Sequence, residues 1–426
     1  MADKIIAFIK RPTNINIIIN TIGNYLGVFF TALFALILVR ILDPSQYGVL
    51  SVLLGIAYVL ANILDFGTTA TIYSFLPILL KEKQNEVTKF IKSIFVFQSS
   101  FALVIVIILC LTFPFLDKVF FKTQAPTWEL YLTCISVLFL IWQNFVTNIL
   151  FAAKKFLKAN IYSNLSNVLK TILLFVLVYL KSVSVGLIIF IFGVIGPIIF
   201  FFFLLLEKKA YINLILNTKT DIKSVKFKYT FTFFIASQFS NLGLRMDLFL
   251  LSHFLIKQEV GYYGLAQKII LTIITTVASI TQVLSPGFSH VKNKSDAAKN
   301  IKHGLLYMLI PSGLFVLLFL TPNFIFDLFF TTKFIKTAYL AKLLALPFIV
   351  YSIGSIPHLF VLYSVKKPIY NLFTNLLFFL VVTFGCYYFI PIYGVIAAPI
   401  MIATALITST LLLTTFAYIE YQKLTQ

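Results

Sequence analysis

The sequence predicts an all-α polytopic membrane protein of about twelve transmembrane helices, arranged as two parallel six-helix bundles around a central cavity. Three observations carry that expectation. Hydrophobic residues make up 60% of the 426-residue chain and charged residues 11%, against about 25% charged in a soluble domain. The apolar runs are continuous rather than alternating, which favours helices over a barrel, because a helix satisfies its own backbone in lipid. The third observation is a repeat. Ile161-Tyr162-Ser163-Asn164-Leu165-Ser166-Asn167-Val168-Leu169 returns ungapped as Ile369-Tyr370-Asn371-Leu372-Phe373-Thr374-Asn375-Leu376-Leu377. Gly186 falls on Gly394 in the same register, Tyr47-Gly48 answers Val260-Gly261, and Lys154-Lys155 answers Lys366-Lys367. Matches in one order at one near-constant offset point to two similar halves.

In the first half, spans are expected near 14–39, 46–76, 90–114, 128–152, 160–180 and 184–206, since each run supplies the roughly 20 apolar residues that a bilayer core requires. The second half gives 229–254, 260–287, 303–321, 338–363, 369–390 and 393–418. The domains are therefore expected at 1–206 and 229–426, joined by a basic cytoplasmic linker at 207–228. Residues 1–10 read as a short interfacial helix or a tail. The first span is too long for a secretory signal and is read as retained. The 46–76 and 260–287 segments exceed a straight crossing. Pro77 and Pro286-Gly287 are expected to end them, and Pro311, Pro347 and Pro357 to interrupt the ninth and tenth spans.

Charge sets the orientation. With the amino terminus in the cytoplasm, inner segments hold 23 Lys and Arg residues and outer segments 7. Both termini are therefore placed inside, and an even number of spans per half makes the repeats parallel. The net charge of +20 is mostly this topology signal, and no soluble basic face with interleaved aromatics offers itself to nucleic acid. Cys110, Cys134 and Cys386 all fall inside spans, which suits apolar packing rather than disulfides. No cofactor or metal site is expected, because the four histidines show no ligand spacing and no phosphate-binding glycine loop occurs.

Polar groups at membrane depth mark the candidate site, because they are costly there and face a cavity or a partner. In the first span Asn16, Asn20 and Asn24 lie four apart beside Gly23 and Gly27, which would let another helix approach closely. Asp65 lies in the second span within Asp65-Phe66-Gly67. Gln143, Asn144 and Asn148 mark the fourth span, and Asn160, Ser163, Asn164, Asn167 and Thr171 the fifth, continuing to Lys170. Ser237, Asn241 and Arg245 form a stripe on the seventh. Arg245 and Asp247 are two apart, on different helix sides, which argues against a simple pair. The plain alternative is that asparagines tie helices together and that Asp247 and Lys268 are structural partners. Arg40, at the outer end of its span, is placed to snorkel. The substrate-binding candidates are Arg245, Asn24, Asn20, Asn241 and Lys268, while Arg40, Asp65 and Asp247 are expected in gating or structure. Arg245 also breaks the repeat, because its counterpart is Ala32.

Leu38-Val39-Arg40-Ile41-Leu42-Asp43-Pro44-Ser45-Gln46-Tyr47-Gly48, reaching Asp65-Phe66-Gly67, resembles the opening of polysaccharide-biosynthesis flippases. Arg245-Met246-Asp247, Val260-Gly261-Tyr262-Tyr263 and Ala266-Gln267-Lys268 resemble the start of their second half. These are the O-antigen and capsule repeat-unit translocases of the multidrug/oligosaccharidyl-lipid/polysaccharide exporter superfamily. The resemblance covers the whole length. It implies movement of an undecaprenyl-diphosphate-linked oligosaccharide across the bacterial inner membrane, with membrane lipids, a polysaccharide polymerase and a chain-length regulator as partners. Arginine matches phosphate geometry, and of three arginines Arg245 alone lies inside a span. A cation-coupled multidrug or small-molecule antiporter of the same superfamily is the alternative, although the first span carries no acid. A polysaccharide polymerase or glycosyltransferase is a second alternative, weakened by short outer loops and by the absence of a nucleophile–base pair.

Overall fold

The computed structural model describes residues 12–207, 218–221, 227–289, 291 and 293–424, with side chains from Ile22 onward at all but scattered positions. The 1–10 segment and positions 208–217 and 222–226 of the expected 207–228 linker lie outside the described residues. Within them the chain is helical throughout, with no strand.

The first half runs α1 (Pro12–Ile41), α2 (Pro44–Ile63), α3 (Thr68–Glu82), α4 (Gln84–Leu116), α5 (Thr127–Ala152), α6 (Phe156–Tyr179), α7 (Val185–Phe190) and α8 (Gly196–Glu207). The second half runs α9 (Phe227–Phe254), α10 (Lys257–Ser289), α11 (Lys294–Leu320), α12 (Asn323–Phe330), α13 (Thr337–Leu359), α14 (Pro368–Tyr393) and α15 (Ala397–Gln422). A wide turn at Ile191–Ile195 joins α7 to α8 into one span, so a single crossing is made of two pieces.

Among the described residues, ten segments are long and apolar enough to cross a membrane. One of them, Ile369–Gln422, contains α14 and α15, which separate at Gly394, where φ is +65°. The 28-residue α9 is not among the ten. It is nevertheless about 42 Å long at 1.5 Å per residue, and it carries Arg245 and Asp247. Large apolar side chains face outward along these helices, Leu111 at 79% and Leu317 at 63% exposure among them. Such faces are liabilities in water and are at home against acyl chains. The chain is a multi-pass membrane protein.

Two of the expected breaks lie elsewhere. Pro77 sits inside α3, and α10 continues past Pro286 to Ser289. Pro311, Pro347 and Pro357 likewise lie within α11 and α13. A proline removes one hydrogen bond, whereas ending a helix in lipid strands several backbone groups, so these helices run on. The second span breaks instead at residues 64–67, where Phe66 (φ 50°) and Gly67 (φ 75°) turn left-handed.

Contacts divide the chain into two compact units. The first comprises Met1–Ala35, Leu53–Asp117 and Gln124–Ile235, and the second Leu36–Val52, Lys118–Thr123 and Ala236–Gln426. In the first, Ile72, Leu76, Phe90, Ile94 and Phe145 form a buried cluster. The start of α9 belongs there because the Phe66 ring gathers Phe227, Phe231 and Phe234, the last at 4.6 Å, while Thr71 bonds Thr230 at 2.6 Å. A Cβ on Gly67 would run into the Thr230 carbonyl.

In the second unit, Val277, Phe288, Met308, Ile356 and Phe360 belong to the main buried cluster. The Leu36–Val52 segment joins it through the two repeat-related glycines, which meet. A Cβ on Gly48 would strike the Lys257 carbonyl, and one on Gly261 the Pro44 carbonyl. The Phe120 and Phe121 carbonyls bind His253 and Lys257, at 2.7 and 3.2 Å, which places residues 118–123 in the same unit.

Candidate functional site

Two acids, half-buried Asp65 in the first unit and buried Asp247 in the second, organise these polar clusters. In the first unit Asp65 follows the end of α2, and its carboxylate turns onto the start of α3. It accepts from the Thr68 hydroxyl at 2.7 Å, the Thr69 hydroxyl at 3.0 Å, the Thr69 N–H at 3.2 Å and the Gln98 amide at 3.1 Å. Free N–H groups at a helix start call for such acceptors, and a carboxylate also favours the positive end of the helix dipole. The network extends as Asn148 donates to the Thr69 hydroxyl at 2.7 Å and Tyr73 to the Asn148 carbonyl at 3.3 Å.

In the same unit Gly23 and Gly27 receive α6. A Cβ on Gly23 would collide with Asn160, and the Asn164 amide donates to the Gly23 carbonyl at 3.1 Å. These asparagines tie α6 to α1. Asn24 is half-buried beside them, and the side chain of Asn20 lies outside those described.

In the second unit Asp247 is 1% exposed. It accepts from the Tyr263 hydroxyl, from the Leu248 N–H at 2.7 Å and from the Gln267 amide at 3.0 Å. Gln267 spans two functions, because its carbonyl oxygen accepts from the Arg245 guanidinium at 2.8 Å. Arg245 and Asp247 are thus held through Gln267 from α10, as their two-residue spacing requires. Lys268, next to Gln267, is half-buried and lies within electrostatic range of Arg245. A void of about 10 Å³ beside Leu244, Asp247, Tyr263 and Gln267 has room for about one water.

Asn241 is half-buried one turn before Arg245, and Arg40 is exposed at the end of α1. The structure therefore brings Arg245, Lys268 and Asp247 together and leaves Asn24, Arg40 and Asp65 in other surroundings. Tyr263 and Gln267 were quoted in the sequence only as family markers. Their helical spacing of four, facing an acid on the preceding span, is the signal that identifies them.

A larger cavity of about 440 Å³ opens elsewhere in the second unit, lined by α9, α10, α13, α14 and α15. None of the described sequence candidates lines it. Leu244 borders both this cavity and the small void, so the two adjoin. No group of three or more His, Cys, Asp or Glu side chains capable of holding a metal comes together among the described residues.

Helices of this number and length, with ionisable groups held among them, have the architecture of a multi-pass membrane protein. The chain superposes on a lipid II flippase, MurJ, in an inward closed conformation, with a TM-score of 0.75 at 17% identity over 94% of this chain and 87% of that one. An inward-facing multidrug resistance transporter of the MATE family and MOP superfamily gives 0.73 at 13% identity, over 93% and 94%. An outward-facing multidrug resistance transporter of the same family and superfamily gives 0.65 at 15% identity, over 96% and 95%. These likenesses show the fold. A search among curated proteins returns no match. The chain belongs to the polysaccharide biosynthesis protein family, whose profile matches residues 15–292.

Proposed function

We propose that this protein is a flippase that moves undecaprenyl-diphosphate-linked oligosaccharide repeat units across the bacterial inner membrane by alternating access, for O-antigen, capsule or exopolysaccharide synthesis. The observation that carries the reading is that Arg245, held by Gln267 and through it by Asp247, lies within electrostatic range of a second cation, Lys268, on the apolar helices of a polysaccharide-biosynthesis family member. Two cations held near one another at that depth are costly, and an anion offsets the cost. A diphosphate suits the arginine fork, which offers paired donors to phosphate oxygens. Gln267 fixes that fork, and Asp247 in turn fixes Gln267.

The partners follow from the substrate: the lipid-linked glycan, membrane lipids, and the polymerase and chain-length regulator that would receive the product. Both termini lie in the cytoplasm on this reading. The chain acts as a transporter rather than an enzyme, with no cofactor or metal and no nucleic acid among its partners. A cation-coupled multidrug or small-molecule antiporter is the second reading, favoured by the fold shared with multidrug transporters.

Arg245→Ala tests the proposal. Loss of a charge-assisted contact costs about 1.5–3 kcal/mol, so translocation of a lipid-linked glycan in proteoliposomes should fall roughly ten- to hundredfold at unchanged protein level. Full transport by this variant removes Arg245 from the site. Export of cationic dyes without glycan translocation favours the antiporter.

A further inference from the structure

The 440 Å³ cavity of the second unit has a lining chemistry of its own. Of the hydroxyls that border it, four from four different helices already donate their hydrogen within their own helix. Thr281 donates to the Ala278 carbonyl at 2.9 Å and Ser355 to that of Ser352 at 2.6 Å. Thr374 donates to the Asn371 carbonyl at 3.1 Å and Ser409 to that of Leu406 at 3.3 Å. A hydroxyl so committed keeps its lone pairs, so the wall presents acceptors to whatever enters. Asn375 adds an amide and His358 an imidazole, and the Tyr363 and Phe378 rings supply apolar faces.

Among the described lining residues there is no Asp, Glu, Lys or Arg. A metal cation would want carboxylates, and an acidic ligand would want Lys or Arg. The volume lies within the roughly 300–1,000 Å³ range of small-molecule sites and far exceeds one ion. One further group favours a polar occupant. Asn371, 6% exposed, lies against His358 with neither amide atom in a well-formed hydrogen bond. An amide buried in that way is costly unless something polar approaches through His358.

We infer that this cavity is a subsite for a neutral sugar residue of the transported glycan, whose hydroxyls donate to the ring of acceptors while its C–H faces lie on the aromatic rings. The inference rests on the proposed flippase function and adds that the recognised sugar is uncharged.

Saturation-transfer NMR on the full chain in lipid nanodiscs, free of sugar-based detergents, tests it with methyl glycosides of neutral hexoses as probes. Ligand signals are expected for the glycosides and not for methyl glucuronide. The signals should fall at least tenfold in Ser409→Leu and Thr281→Leu, which fill the cavity from different helices. Ser355→Ala, which adds no bulk, should weaken them about threefold and serves if the larger variants fail to fold. Absence of glycoside signal from the wild type, or signal that survives these changes in folded protein, overturns the inference. So does sodium-23 line broadening that the filling variants abolish, which would mark a cation site. Undecaprenyl diphosphate without sugar, followed by its phosphorus signal, separates the two readings. If it binds while the glycosides do not, the sugar subsite falls alone. If neither binds, the flippase reading falls with it.

Discussion

Asp65, half-buried, and Asp247, buried, are carboxylates set among apolar helices, and each accepts several hydrogen bonds, yet the two surroundings differ in kind. Around Asp65 the donors are Thr68, Thr69 and Gln98, with Asn148 and Tyr73 behind them, and among the described residues this network includes no cationic side chain. Three of those bonds go to the two residues that begin α3, so the acid repairs a break in its own span. Around Asp247 the donors Tyr263 and Gln267 come from the next helix, and through Gln267 the network reaches Arg245, with Lys268 alongside. The same carboxylate chemistry closes a helix in one unit and aims a cation in the other. Position in a span alone does not separate the two uses. A cation one hydrogen bond further out, Arg245 on Gln267, does.

The strongest challenge to that distinction is Asp247→Ala. It leaves the Tyr263 hydroxyl buried without its acceptor and the Gln267 amide with the Leu244 carbonyl alone, at 3.3 Å, and it removes an acid within electrostatic range of Arg245. A loss of about 3 kcal/mol of stability is expected, since each stranded buried group costs roughly 1–3 kcal/mol. Transport per folded molecule should fall as well, because Gln267 no longer holds the guanidinium. Thermal unfolding and proteoliposome flipping, measured on the same preparation, give both values. If transport survives with stability alone reduced, Asp247 is as purely structural as Asp65.

Asp65→Ala should cost less, about 2 kcal/mol, the worth of a helix cap plus a partly exposed hydrogen-bond cluster. The comparison requires a different pattern here. Stability falls, while transport normalised to folded protein stays within about twofold of wild type, a shift of under about 0.5 kcal/mol. Asp65→Asn, which keeps one acceptor, should recover part of the stability. A large transport defect in the folded variant would move Asp65 from helix repair to gating.

The sequence made most of this architecture legible, because the length and apolar content of a span are strict in lipid. Gly48 and Gly261, matched across the expected repeat, meet where two backbones cross and neither tolerates a Cβ. Breaks were harder to place. Pro77 drew attention by its ring, whereas the true break at Asp65-Phe66-Gly67-Thr68-Thr69 is written in turn chemistry. An acid, a glycine and two hydroxyl residues there form a capping signature that an apolar run conceals. The role of Gln267 was hidden because a neutral amide in a helix carries no charge signal until its partners are known. The sugar-sized cavity was hidden for a related reason. Its serines and threonines look like ordinary helix residues, and only their convergence from four helices makes a site.

Lys268→Gln gives the smallest effect and the sharpest one for the second unit. Lysine is a flexible point charge, while arginine offers a rigid fork, so Arg245 should dominate diphosphate recognition and Lys268 assist through its field. The variant should weaken undecaprenyl diphosphate binding about threefold, or about 0.7 kcal/mol. Its effect on stability should have the opposite sign. Arg245 and Lys268 repel each other across a medium that screens poorly, so removing one charge relaxes the unliganded protein. A slightly raised unfolding temperature is therefore expected in the absence of ligand, with a smaller further rise when diphosphate is added than in wild type. No counterpart exists around Asp65, where no cation can be traded in this way. If Lys268→Gln instead lowers unliganded stability, the lysine is a structural partner of its helix neighbours and the site is built on Arg245 alone.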